Sequence, residues 1–340
     1  MNFFQYKAFI HSRTPRSDCP THGVHLVNVP WSRPGSEFTL LFEALVLALI
    51  AQMPVLAVAR IVDEHDTRLW RILHHYVDEA RAADDHSQVR NIAIDETACQ
   101  RGQRYISLSY DTDARRLLFA TPGREAFTVG CIAKDLEEHG GKPEQIENVA
   151  CDMSKAYLHG IGVHFPHAAV TIDKFHLMQL MNEALDEVRR QEQQYVSDLK
   201  YSRYVWLKNR PNLTAAQARL FEDLSRRNLK TARAYRMKLA LQEVYRSPDR
   251  TTAEEGLKRL YWWLSHSRLE PMKAMAITIK GHWDAILNYF DHRRTTGALE
   301  AINGLLQAAR SKARGYRNVN NFITMAYLIA GKLPLSSVGS

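Results

Sequence analysis

Three acidic residues stand where they could do chemistry. Asp95 closes the apolar stretch NIAI, Asp152 closes NVAC, and Glu300 is the last acidic side chain of the chain, on a stretch that is otherwise apolar or basic. Carboxylates from separate elements that converge on one point can hold two divalent ions about 3.5–4 Å apart, which activate an attacking oxygen and stabilise a leaving one. Hard ions such as Mg2+ or Mn2+ take oxygen ligands, and Mg2+ keeps waters that a substrate phosphate can displace. Taken singly, an Asp at a strand end is more often a turn or cap residue. Their combination points to phosphoryl transfer, provided the elements beneath bring them together.

Those elements are strands with crossover helices. NIAIDETAC alternates Ile92 and Ile94 before Asp95, RYISLSYD is a second strand and RRLLFATPG a third, with turns at Gly102 and Asp111 to Asp113. A helix is predicted over Arg124–His139, its apolar side built from Phe127, Val129, Ile132, Ala133 and Leu136, ending at Gly140 and Gly141. NVACDMS is a fourth strand ending at Asp152, Ser154–Gly160 a short helix, and AAVTIDKFH a fifth strand ending at Asp173. Three strands, helix, strand, helix, strand is the order of an α/β, ribonuclease H-like core. In that plan strands one and four are neighbours, which sets Asp95 beside Asp152.

Residues 1–39 are irregular and punctuated by Pro and Gly, with VHLVNV as a short strand. Residues 40–84 read as three helices: Leu40–Gln52, Val55–Val62 after Pro54, and Thr67–Arg81 with Asp66 or Thr67 as N-cap. The last carries Leu69, Ile72, Leu73, Tyr76, Val77 and Ala80 on one face and Arg68, Arg71 and His75 outside. This is the pattern of a DNA-binding helix-turn-helix and equally of a plain helical hairpin. From about residue 180 to 292 the chain reads as helix throughout, and a further helix begins near Ala298.

The net charge of +8 is unevenly spread: residues 1–90 carry −1, 91–180 carry −3 and 181–340 carry +12. Cationic helices around an acidic centre suit an enzyme of nucleic acid, where Lys and Arg neutralise phosphates; solvated helix faces would look the same. Cys19, Cys99, Cys131 and Cys151 make no disulfide framework, so a reducing cytoplasm is expected. Leu40 to Ala59 is interrupted by Glu43, Gln52 and Pro54 and is too broken for a membrane span. The N-terminal stretch lacks an apolar run with a small-residue cleavage site, so no signal peptide is predicted.

The stretches IDE, CDMSKAY, DKFH, TTGALEAIN and ARGYRN, in that order, resemble the ISL-three family of bacterial insertion-sequence transposases over about residues 14 to 333. The resemblance implies a ribonuclease H-like catalytic domain at 90–333 with an all-α insertion at about 180–292, and a D-D-E metal site of Asp95, Asp152 and Glu300 binding Mg2+ or Mn2+. Asp173 to His176 match a D-x-x-H signature, so Asp173 and His176 support the site. His176 orients a ligand, touches the scissile phosphate or is a packed core histidine. Asn303, one turn from Glu300, orients it, touches DNA or is merely exposed. Arg310, Lys312, Arg314 and Arg317 bring phosphate-binding charge, and Arg68 and Arg71 lie on the helix-turn-helix.

The sequence departs from the family in two places. Thr295-Thr296-Gly297 stands where the family often has Thr-Asn-Gly. Family members usually begin with a zinc ribbon, of which Cys19-Pro-Thr-His22-Gly is the remnant. A structural zinc wants four ligands; Cys19 and His22 supply two, with His25 and His11 as doubtful additions, so zinc is not expected here.

The expected function is a D-D-E transposase acting on double-stranded DNA, both terminal inverted repeats and target, in a bacterial, nucleoid-associated setting. Synapsis of two ends implies a homodimer or higher on DNA, and no membrane partner is expected. The alternatives are a truncated transposase that only binds element ends or represses, and a ribonuclease H-like structure-specific nuclease.

Overall fold

In the computed structural model, which describes residues 2–3, 6–7, 13–100, 102, 104–293 and 297–334, the chain begins with two short antiparallel pairs, β1 (Asn2–Phe3) with β2 (Tyr6–Lys7) and β3 (Arg16–Cys19) with β4 (Gly23–Leu26). Helices α1 (Leu40–Ile50), α2 (Val55–Val62) and α3 (Asp66–Ala82) follow. Next come β5 (Asn91–Gln100), β6 (Arg104–Asp111), β7 (Arg116–Pro122), α4 (Ala126–Glu138), β8 (Asn148–Cys151), α5 (Lys155–His164) and β9 (Ala169–Ile172). A helical run completes the chain: α6 (Lys174–Glu192), α7 (Arg203–Leu207), α8 (Ala215–Arg226), α9 (Lys230–Val244), α10 (Arg250–Ser265), α11 (Glu270–Gly281), α12 (Trp283–His292), α13 (Gly297–Lys312) and α14 (Val319–Ala330). Among the described residues no helix is long and apolar enough to cross a membrane.

The chain divides into two compact units, one of Met1–Asp85, Ala98–Tyr105 and Ala301–Ser340, the other of His86–Thr97 and Ile106–Glu300.

In the first unit, α3 buries Leu69, Ile72, Leu73, Tyr76 and Val77, the face its spacing predicts. The helix starts at Asp66, whose carboxylate suits the positive end of the helix dipole; His65 occupies the cap position and makes no side-chain cap bond. The loop before α1 is tied down by a buried carboxylate. Glu43, fully buried, accepts from Arg33 Nε at 3.0 and 3.1 Å, from Ser36 Oγ at 2.6 Å and from the Tyr76 hydroxyl at 2.6 Å. A buried charge persists when it is paired and fully hydrogen-bonded. Helix α14 joins this unit through His74, whose ring meets Asn321 Oδ1 and Thr324 Oγ1 at 2.9 Å each.

In the second unit the sheet order is β7-β6-β5-β8-β9. β6 runs antiparallel to β7, and β5, β8 and β9 are mutually parallel. This is the predicted meander followed by crossovers, and β5 and β8 are neighbours. Val129, Ile132, Ala133 and Leu136 of α4 are buried against the sheet. Phe127, expected on that face, is 78% exposed because it lies two residues, about 200°, from Val129 around the helix. Gly160 lets α5 close on α4, since a Cβ there would meet Val129 Cβ at 2.8 Å.

The helical run has its own core around Trp206, Tyr235, Leu241, Leu257 and Ile279. Within the part that reads as helix throughout, residues 213–246 form two helices, parted at Arg227–Leu229. Glu192 of α6 caps the second, accepting from the backbone N–H of Lys230 and Thr231 at 2.8 and 2.7 Å. The stretch from Met272 to Arg293 also breaks, between Gly281 and Trp283.

Candidate active site and DNA-contacting surface

Register lines up three aspartates in the second unit. Ala93 of β5 pairs with Ala150 of β8, and Ala150 with Thr171 of β9. Two residues later in each strand direction stand Asp95, Asp152 and Asp173, one row across three adjacent parallel strands whose spacing is about 4.7–4.9 Å. Asp152 follows directly on β8, and Asp173 is the N-cap of α6, its N–H donating to Cys151 O at 3.0 Å. One oxygen of each of the first two is held by backbone: Glu96 N–H donates to Asp95 Oδ1 at 2.8 Å and Ser154 N–H to Asp152 Oδ1 at 2.9 Å. Asp173 is 3% exposed and its Oδ2 has no hydrogen-bond partner among the described residues.

Asp95 and Glu300 both feel the charges of Asp173 and His176. Burial pushes the Asp95 carboxyl up to about 6, opposed by the Glu96 N–H and by His176, and reinforced by the charges of Asp152 and Asp173. Burial likewise raises Glu300, again with Asp173 pushing it up and His176 pulling it down. His176, half-buried on the first turn of α6, therefore sits in the field of both acids, and Glu300 on α13 shares that field. Sequence reading passed over Glu96. It too is raised by burial, feels Asp152 and His176, and lies 3.5 Å from Arg124. The signal was its place next to Asp95. Asp95, Asp152, Asp173, His176 and Glu300 all belong to the second unit, whereas Asn303 falls in the first.

The first unit holds a cavity of about 980 Å³ lined by Pro54, Asp66 and Trp70 of the α1–α3 region and by Arg310, Arg314 and Arg317. Arg310 is half-buried, donating to Ala98 O at 2.9 Å, and Lys312 donates to Gln52 O at 2.8 Å. Arg314 and Arg317 are exposed. Arg71 is exposed as well, whereas Arg68 is drawn in between Glu64 at 2.6 Å and Glu37 at 2.7 Å, over the Phe38 ring. Cys19 Sγ lies 3.4 Å from His22 Nδ1, and His25 Nε2 bonds the His22 carbonyl at 2.6 Å. His11 lies outside the described residues.

Two family models match the chain. One, described as a transposase, covers residues 92–326; the other, described as the helix-turn-helix domain of transposase family ISL3, covers residues 27–77. The transposase for insertion sequence element IS1557 of Mycobacterium tuberculosis is 26% identical over 362 residues, spanning 96% of this chain and 80% of its own. The transposase for insertion sequence element IS1001 of Bordetella parapertussis is 28% identical over 246 residues, spanning 70% and 60%.

Proposed function

The chain belongs to the ISL3 family of transposases, and on that premise we propose that it cuts double-stranded DNA at the terminal inverted repeats of its own insertion sequence and joins the freed ends to target DNA. The observation that carries the reading is the row of Asp95, Asp152 and Asp173 on adjacent parallel strands, with Glu300 in the same electrostatic field. We read the second unit as a ribonuclease H-like core with an all-α insertion.

The donor set fits Mg2+ or Mn2+. It consists of carboxylate oxygens, and the buried Asp173 Oδ2 has no hydrogen-bond partner among the described residues, an arrangement that a nearby cation would compensate. Asp95, Asp152 and Glu300 would hold the ions, with Asp173 and His176 supporting them. Bound there, the ions would supply an activated attacking oxygen and a stabilised leaving oxygen. The chain's own part is positional. The backbone bonds from Glu96 and Ser154 fix one oxygen of Asp95 and of Asp152. His176 offers positive or hydrogen-bonding character toward a scissile phosphate. Water would attack first, and the freed 3′-OH would then attack target DNA, so no covalent enzyme intermediate is required.

The helix-turn-helix implies DNA binding. Arg71, Arg310, Arg314 and Arg317 are the cations we assign to phosphate contact, with Lys312 and Arg68 held closer to the protein. We place the protein with the bacterial nucleoid, acting as a homodimer or higher on DNA. A cleavage assay with cognate end DNA and Mg2+ tests the site: full activity in Asp95→Ala would overturn it.

A further inference from the structure

A second set of metal-competent side chains lies toward the opposite end of the sheet from the aspartate row. Asp135 and His139 stand four residues apart at the C-terminal end of α4, so they share one helix face. His86 comes from the segment before β5. Its N–H donates to His139 O at 2.8 Å, and Gln145 Nε2 donates to His86 O at 3.1 Å. The close approach depends on Gly141, where a Cβ would lie 2.9 Å from His86 O and 2.8 Å from Leu136 Cδ1.

One nitrogen from each imidazole and one carboxylate oxygen of Asp135 all lie within 4.8 Å of one another. His86 Nδ1 is 3.8 Å from Asp135 Oδ2, and His139 Nδ1 is 3.6 Å from Oδ1. A tetrahedral ion with bonds of about 2.0–2.1 Å separates its ligand atoms by roughly 3.3–3.5 Å, so ligand atoms that now lie within 4.8 Å of one another would draw together on binding. His139 Nδ1 is also 2.7 Å from the Asp135 main-chain carbonyl. With Nδ1–H donating there, ligation by this ring falls to Nε2, and the outer hydrogen bond sets the tautomer.

An independent observation points to an occupant. A cavity of about 10 Å³ is lined by His86, Asp135 and Ser109, with Ile92 and Leu118. That is about the size of a single small occupant. Ser109 is fully buried, and its Oγ has no hydrogen-bond partner among the described residues. The β6–β7 register shifts at Ser109 and Tyr110, an irregularity of the kind that re-aims a side chain. The His86 and His139 rings, stacked at 4.7 Å, do not account for that hydroxyl.

We propose that His86, Asp135 and His139 bind a transition-metal ion, Zn2+ by ligand set, in a three-residue site whose fourth position stays open beside the unpartnered Ser109 Oγ. Two imidazoles with one carboxylate suit Zn2+ and not Mg2+, which prefers oxygen alone. The ion would fasten the segment before β5 to α4, at the strand end away from Asp95. This site shares no residue with the carboxylate row and stands or falls apart from it.

The test uses the full chain, stripped by a chelator and titrated with Zn2+ in excess Mg2+. One Zn2+ per chain is expected, weakened at least tenfold in His86→Gln and in Asp135→Asn and unchanged in Asp95→Asn and Cys19→Ser. If the cluster variants fail to fold, Co2+ added to the unaltered chain decides: strong visible absorption of four-coordinate Co2+ supports the site, and the weak six-coordinate spectrum overturns it. Absence of Zn2+ binding, equal binding by the cluster variants, or loss in Cys19→Ser also overturns it; a cavity holding only water gives the first of these results.

Discussion

Asp95 and Asp152 stand at the same level of neighbouring parallel strands, each two residues beyond the paired Ala93 and Ala150. Isosteric amides at these positions keep the strands and remove ionic ligands. Asp95→Asn, Asp152→Asn and Glu300→Gln should each lower Mg2+-dependent end cleavage by at least about a hundredfold, since even substitutions behind a metal's ligands cost about 10–100-fold. Gel-shift affinity for end DNA should stay within about threefold. Equal loss of DNA binding in all three would relocate the defect from chemistry to folding.

Asp95 also makes a pH prediction for the chain without divalent ions. Burial raises its pKa from the ordinary 3.8 to about 6. A carboxyl with a higher pKa in the folded state holds its proton more tightly there, so this group favours folding at low pH. That advantage disappears as pH climbs from about 4 through about 6, on the order of 3 kcal/mol in all. Asp95→Asn should therefore raise the melting temperature at pH 7.5 in chelator, with the gain shrinking toward pH 4. A gain that stays constant with pH would contradict the assignment to this carboxyl.

The aspartate row was legible in the sequence because each member follows a short apolar run, and parallel register carries those positions to one level, although β5 runs on past Asp95 to Gln100 whereas β8 and β9 stop just before Asp152 and Asp173. Glu300 was legible as a lone acid in basic surroundings. Other features left no local trace. Half of the β3–β4 hairpin was missed because RSDC has no apolar alternation. The bonds of His74 to Asn321 and Thr324 join residues about 250 apart, and nothing in either segment announces them. The break at Arg227–Leu229 needs no Pro or Gly because its cap, Glu192, comes from another helix.

Glu43 is the buried anchor of the helix-turn-helix region, and Tyr76 is the partner that can be removed most cleanly. Burial and the Glu43 charge both raise the Tyr76 hydroxyl's pKa, so it remains a donor across the working range. Tyr76→Phe deletes a hydrogen bond to a buried charge, a loss of about 1.5–3 kcal/mol. Thermal or urea unfolding should show a destabilisation of that size. Glu43→Ala should cost more, because Arg33 then loses its buried partner as well. A neutral Tyr76→Phe would mean that water reaches this carboxylate.

The exposed cations of the first unit should set how DNA binding responds to salt. Arg314 and Arg317 are exposed and line the 980 Å³ cavity, whereas Arg310 is half-buried and donates to Ala98 O. Arg314→Gln and Arg317→Gln should weaken binding to cognate and unrelated duplexes alike, and each should flatten the slope of log affinity against log salt by roughly 0.9 for every phosphate it leaves unneutralised. Arg71→Gln, on the outer face of α3, should act differently if α3 reads base edges: it would weaken cognate DNA more than unrelated DNA. Arg310→Gln removes a bond to the backbone of β5, so it should lower the melting temperature as well as affinity. Unchanged salt slopes in both Arg314→Gln and Arg317→Gln would show that this charge only solvates the surface.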